Sequence, residues 1–170
     1  MVKTDLEPIL ERIATALESL APQQALVYEL SDGDAFVWHS KPESLESVEN
    51  VNRVELSLLR GIEQQTEILY ANTKQFAEGL PSNNALLWGA RGTGKSSLIK
   101  SMHAQINKDL GCRLVLVEIY REDIDSLPRL MNILKNANRR CILFCDDLSF
   151  EAKDAEFKSL KALLEGGIEG

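Results

Sequence analysis

Residues 89–96, Gly89-Ala90-Arg91-Gly92-Thr93-Gly94-Lys95-Ser96, satisfy the pattern G-x-x-x-x-G-K-[ST] at every fixed position. No other stretch constrains the chain as tightly. The pattern asks for a strand before it, a helix after it, and a loop that wraps a polyphosphate with its own amide N–H groups. A Cβ at the closest approaches would obstruct that wrapping, hence the glycines at 89, 92 and 94. The helix that follows turns its positive end toward the phosphates. Lys95 is expected to reach the β- and γ-phosphate oxygens as a point charge, and the Ser96 hydroxyl to coordinate Mg²⁺. Ala90, Arg91, Thr93 and Ser97 complete the expected nucleotide-binding set. The plain alternative is a glycine-rich strand-to-helix turn that binds nothing. The context favours the phosphate reading, because the apolar run Ala85-Leu86-Leu87-Trp88 precedes the loop and a helical pattern over 97–110 follows it.

A second segment complements the first. Cys141-Ile142-Leu143-Phe144-Cys145-Asp146-Asp147 is an apolar strand ending in two acids. Ligands of open α/β sheets bind at the carboxyl ends of the strands. Asp146 is expected to hold Mg²⁺, a hard cation that prefers oxygen, and Asp147 to orient or deprotonate the attacking water. A solvated acid at a strand end is the bland reading of each. The cysteines Cys112, Cys141 and Cys145 lack metal-site spacing and read as reduced thiols of a cytoplasmic protein. His39 and His103 have no sequence-adjacent partner and read as solvent-facing, and Trp38 and Trp88 as core or edge packing.

Elsewhere the pattern alternates. Leu6, Ile9, Leu10, Ile13, Leu17 and Leu20 mark an amphipathic helix over 4–20 that Ala21-Pro22 ends. Residues 25–38 suggest a hairpin about an Asp32-Gly33 turn, and 39–53 a polar linker. A helical pattern covers about 54–76, with Gly61 able to interrupt it. Strands at 85–89, 114–119 and 142–145 then alternate with helices at 97–110, 127–137 (Ser126 as N-cap, Pro128 in the first turn) and 154–165. Strands apolar throughout, separated by helices, imply an α/β fold with a parallel sheet covered on both faces. The division expected is an N-terminal helix, hairpin and linker over 1–53 and a catalytic-type core over 54–170.

Composition narrows the function classes. Nineteen Lys and Arg against 26 Asp and Glu give a formal charge of -7, which argues against bulk binding to a phosphate backbone. No run approaches the ~20 apolar residues a membrane helix needs, so no membrane partner is expected.

The glycine-rich loop and the acidic strand end resemble the P-loop ATPases, and the paired acids point to the AAA+ branch. Further motifs are Leu59-Arg60-Gly61-Ile62-Glu63-Gln64-Gln65, Asn72-Thr73-Lys74-Gln75-Phe76, Gly79-Leu80-Pro81-Ser82-Asn83-Asn84, Phe144-Cys145-Asp146-Asp147-Leu148-Ser149-Phe150 and Leu163-Leu164-Glu165-Gly166-Gly167-Ile168-Glu169. Together they resemble the bacterial predicted-ATPase family known as domain of unknown function 815, from about residue 55 onward. The resemblance implies a three-layer AAA+ sandwich, ATP and Mg²⁺ as cofactors, and an adenine pocket lined by Leu59, Gly61 and Ile62. Where this chain has Asp147 many AAA+ proteins carry Glu, one methylene longer. The resemblance also implies that a further strand belongs beside the loop's own strand, and that it, the arginine finger and the helical lid lie beyond Gly170. The chain is therefore expected to be the front part of a longer enzyme and to hydrolyse ATP poorly alone.

The expected function is ATP binding, with Mg²⁺-dependent hydrolysis in the full-length form driving remodelling of an unknown partner. A homo-oligomer of that form stays open. So do two other readings: a nucleotide-dependent binding switch with little turnover, and a small-molecule kinase built on the same loop.

Overall fold

The structure is a computed structural model and describes residues 33–146, with Arg12 and Leu30 besides. The expected helices over 4–20 and 154–165, the first arm of the expected hairpin, and Asp147 lie outside the described residues. Described elements run in the order β1 (Ala35–Ser40), β2 (Glu43–Ser47), a 3-10 turn (Leu56–Leu58), α1 (Glu63–Glu78), α2 (Lys95–Leu110), β3 (Val115–Ile119), a 3-10 segment (Arg121–Ser126), α3 (Leu127–Lys135) and β4 (Cys141–Cys145).

The four strands form one mixed, mostly parallel sheet in the order β2-β1-β3-β4. β3 pairs in parallel with both β1 and β4, while β2 returns antiparallel along the outer edge of β1. The period-2 alternation of strands then sorts side chains onto two faces. Phe36, Trp38, Val115, Val117 and Ile119 meet Leu127 and Leu130 of α3 on one face. Ala35, Leu116 and Phe144 occupy the other, packed by Ile99 of α2 and by Val48 and Val51. A further cluster of Leu98, Met102, Ile106 and Leu114 joins α2 to α1 through Leu69, Tyr70 and Phe76. The sheet is thus only mostly parallel, with apolar clusters on both faces as the apolar strands imply.

Several expectations change. Ala35–Trp38 lies in a strand as expected, but the hairpin partner of Ala35–Ser40 is Glu43–Ser47, turning at Lys41-Pro42, so part of the expected linker is a strand. β2 is an edge strand whose Leu45 alone packs on the core, and its polar sequence hid it. β1 is not an appendage either, since it continues the parallel sheet beside β3. Residues 85–88 form no strand, and Leu86 and Trp88 are 80% and 89% exposed. Among the described residues no strand lies alongside to bond their amides, and an apolar run without a pairing partner has no reason to be a strand.

Helix limits follow local chemistry. Gly61, at φ +79°, does break the 54–76 pattern, so α1 starts only at Glu63. Gly79 and Gly111 end α1 and α2 in the left-handed conformation. Pro128 sits in the first turn of α3 as expected, but Ser126 does not cap it with its side chain. Its Oγ donates instead to Asp123 O at 2.6 Å and accepts from Trp38 Nε1 at 2.7 Å. His103 is fully buried, contrary to the solvent-facing expectation, with its Nε2 2.8 Å from Leu114 O.

Candidate functional site

Helix α2 opens directly from the glycine-rich loop, with Gly94 at φ +84° as its N-cap and Gly92 at φ +80° in the bend. A Cβ at Gly92 would meet nothing within 4 Å, so conformation and not space sets glycine there. The loop closes on itself through its carbonyls. Lys95 Nζ donates to Gly89 O at 3.1 Å and to Ala90 O at 2.8 Å, and Thr93 Oγ1 donates to Ala90 O at 2.8 Å. Ala90, Arg91 and Thr93 are exposed, and Ser97 is half-buried in the first turn of α2.

The acidic strand end comes to the same place. Asp146 follows β4, and its Oδ2 accepts a hydrogen bond from Ser96 Oγ at 2.6 Å. Two segments fifty residues apart in the chain thus meet side chain to side chain. Asp147, expected beside it, lies outside the described residues. Cys145 adjoins this point. Burial first, then the Asp146 and Glu118 charges, pushes its thiol up to about 11, and burial likewise pushes Cys141 up to about 11. Burial thus makes both poor thiolates near neutrality. Among the described residues no three His, Cys, Asp or Glu side chains gather as a ready-made metal cluster. The polar chemistry at the loop is that of a hydroxyl, a carboxylate and an ammonium.

Of the three residues expected at an adenine pocket, Leu59 lies beside the loop and Ile62 packs on the same apolar cluster. Leu59 and Ile62 pack with the Leu98 cluster, and Leu59 Cδ2 would lie 3.9 Å from a Cβ at Gly94. Gly61 is exposed and serves as the turn between them. Its N–H donates to Glu63 Oε1 at 3.0 Å. That bond, then the N–H of Glu63 itself, holds the Glu63 carboxyl below its ordinary range at the head of α1.

Sequence reasoning passed over two charged residues near the loop. Lys100 stands one turn after Ser96 on α2, and its Nζ lies 3.2 Å from Glu118 Oε2 of β3. Glu118 is the single acid inside Val115–Ile119, and a lone charge in an otherwise apolar strand was the available signal. Arg139 and Arg140 are structural. Arg139 donates to Arg113 O and Gly33 O, and Arg140 lies over the Phe76 ring. No helix among the described residues is long and apolar enough to cross a membrane.

A family model described as "Protein of unknown function (DUF815)" matches residues 31–170. The chain belongs to the DUF815 family. The DUF815 match takes in every described strand and helix, the 89–96 loop and Asp146. No curated protein and no solved structure matches the chain.

Proposed function

We propose that this DUF815 protein is a P-loop nucleotide-binding protein of the AAA+ type that binds ATP with Mg²⁺ and hydrolyses it to remodel a partner. The observation that carries the reading is the 2.6 Å hydrogen bond from Ser96 Oγ to Asp146 Oδ2, at the head of the helix that bears Lys95. A glycine-rich turn of purely local purpose has no need of an acid from a distant strand end.

The residues at this point fit Mg²⁺. Ser96 and Asp146 offer oxygen donors side by side, as a small hard cation requires, and the nearby Cys145 thiol is protonated. Bound there, Mg²⁺ would supply charge neutralisation for the phosphates. The chain's own groups do the rest. Lys95 exchanges the carbonyls of Gly89 and Ala90 for phosphate oxygens, a stronger charge-assisted bond. The N–H groups at the start of α2 face the same anion. Leu59 and Ile62 offer apolar surface to a base beside Gly94. Asp147 takes the part of the water-orienting carboxylate. Three free cysteines accord with a reducing, cytoplasmic setting.

Incubation with ATP labelled at the γ-phosphate tests the reading. Slow release of free phosphate, abolished by Asp147→Asn without loss of ATP binding, is the expected result. Label transferred to a metabolite would favour a kinase. Retention of biological function by Asp147→Asn would favour a nucleotide-dependent switch.

A further inference from the structure

We propose that Lys100 and Glu118 form a positioning pair that fixes the spacing between Ser96 and Asp146, and thereby the degree to which Mg²⁺ strengthens nucleotide binding. The inference rests on the nucleotide-binding reading of this site. Lys100 follows Ser96 by four residues, so both project from the same face of α2. Glu118 stands opposite Phe144 in the parallel register of β3 and β4, and Asp146 comes two residues after Phe144. Glu118, Phe144 and Asp146 therefore belong to one side of the sheet, the side that α2 covers. The Lys100 ammonium lies 5.9 Å from the centroid of the Phe144 ring and 3.2 Å from the Glu118 carboxylate. It thus lies beside both β3 and β4.

Helix α2 is consequently tied to the sheet at two successive turns. The two ties differ in kind. The Ser96–Asp146 bond joins the groups expected to face a cation, and a cation bound there would draw on the same oxygens. The Lys100–Glu118 bond involves neither and can persist while the first is exchanged. Its anchor is also the firmer, because β3 is flanked on both sides by paired strands. The Lys100 and Glu118 side chains are only 24% and 19% exposed, so the pair is shielded more than a surface ion pair and holds a more definite geometry. Groups that orient the residues around a cation without touching it commonly alter its affinity by 10–100-fold.

Titration of the full chain with an N-methylanthraniloyl-labelled ATP, in Mg²⁺ and in EDTA, tests the pair. The variant K100M/E118Q removes the ion pair while keeping the local net charge. It is expected to lose about tenfold of the Mg²⁺-dependent gain in affinity, with affinity in EDTA within about twofold of the unaltered chain. The reversed pair K100E/E118K is expected to recover most of that gain. An unchanged Mg²⁺ gain in K100M/E118Q overturns the inference alone, as does an equal loss with and without Mg²⁺, which a merely structural pair would give. If circular dichroism shows K100M/E118Q unfolded, the reversed pair decides: a retained gain supports the inference, and a lost gain in a folded protein overturns it. Failure of the unaltered chain to bind the probe overturns the nucleotide reading together with this one.

Discussion

Trp38 Nε1 donates to Ser126 Oγ at 2.7 Å, linking the centre of β1 to the residue that precedes α3. Both residues are buried, and the same hydroxyl donates to Asp123 O. Ser126→Ala leaves the indole N–H without an acceptor inside the core. The expected loss is about 1–3 kcal/mol of stability, read by urea denaturation. A smaller loss in Ser126→Thr, which keeps the hydroxyl, would assign the effect to the hydrogen bond and not to packing.

Burial holds the His103 imidazole below its ordinary pKa of 6.5, with the Leu114 carbonyl opposing that shift. Nε2 donates to Leu114 O, while Nδ1 is buried with no hydrogen-bond partner among the described residues. Protonation would place a charge and a second donor there. The unfolded chain therefore binds this proton more readily than the folded one. Stability is full above pH 6.5 and falls as pH drops through 6.5 toward the lowered folded value. Denaturation midpoints measured between pH 7.5 and 5 should decline, and His103→Leu should flatten the upper part of that decline. Asn107 Nδ2 still donates to Leu114 O in such a variant, so that carbonyl keeps a partner.

Much of the site was legible because its chemistry is local. The loop needs glycines at fixed spacing and a Lys-Ser pair next to the helix, and α2 begins at Lys95, two residues before the expected 97. The apolar strand with its terminal acid was equally plain, and Ser96 and Asp146 do meet. What sequence missed depends on neighbours. Glu43–Ser47 is a strand because β1 offers it an edge, and its own composition gives little sign of that. Ala85–Trp88 has the composition of a strand and no described neighbour to pair with. His103 looks like a surface residue until Leu114 and Asn107 close around it. Glu118 shows its place only through the register that sets it beside Phe144.

Leu59 packs against the Leu98 cluster beside Gly94, where the proposed site would receive a base. Leu59→Ala is expected to weaken ATP binding roughly tenfold, in line with losing part of the ~1.5–3 kcal/mol a buried leucine side chain contributes. Inorganic tripolyphosphate, which has no base, should compete equally well in both proteins. Equal weakening of both ligands would place Leu59 in support of the loop and not against the base.

The most direct measurement is equilibrium dialysis of radiolabelled ATP against the unaltered chain and Lys95→Ala, both in Mg²⁺. Loss of a charge-assisted contact to phosphate is worth about 1.5–3 kcal/mol, or roughly 10- to 150-fold in affinity. Saturable binding by the unaltered chain, weakened by that factor in Lys95→Ala, is the predicted result. No binding by the unaltered chain, or equal binding by the two proteins, would contradict a phosphate site at residues 89–96.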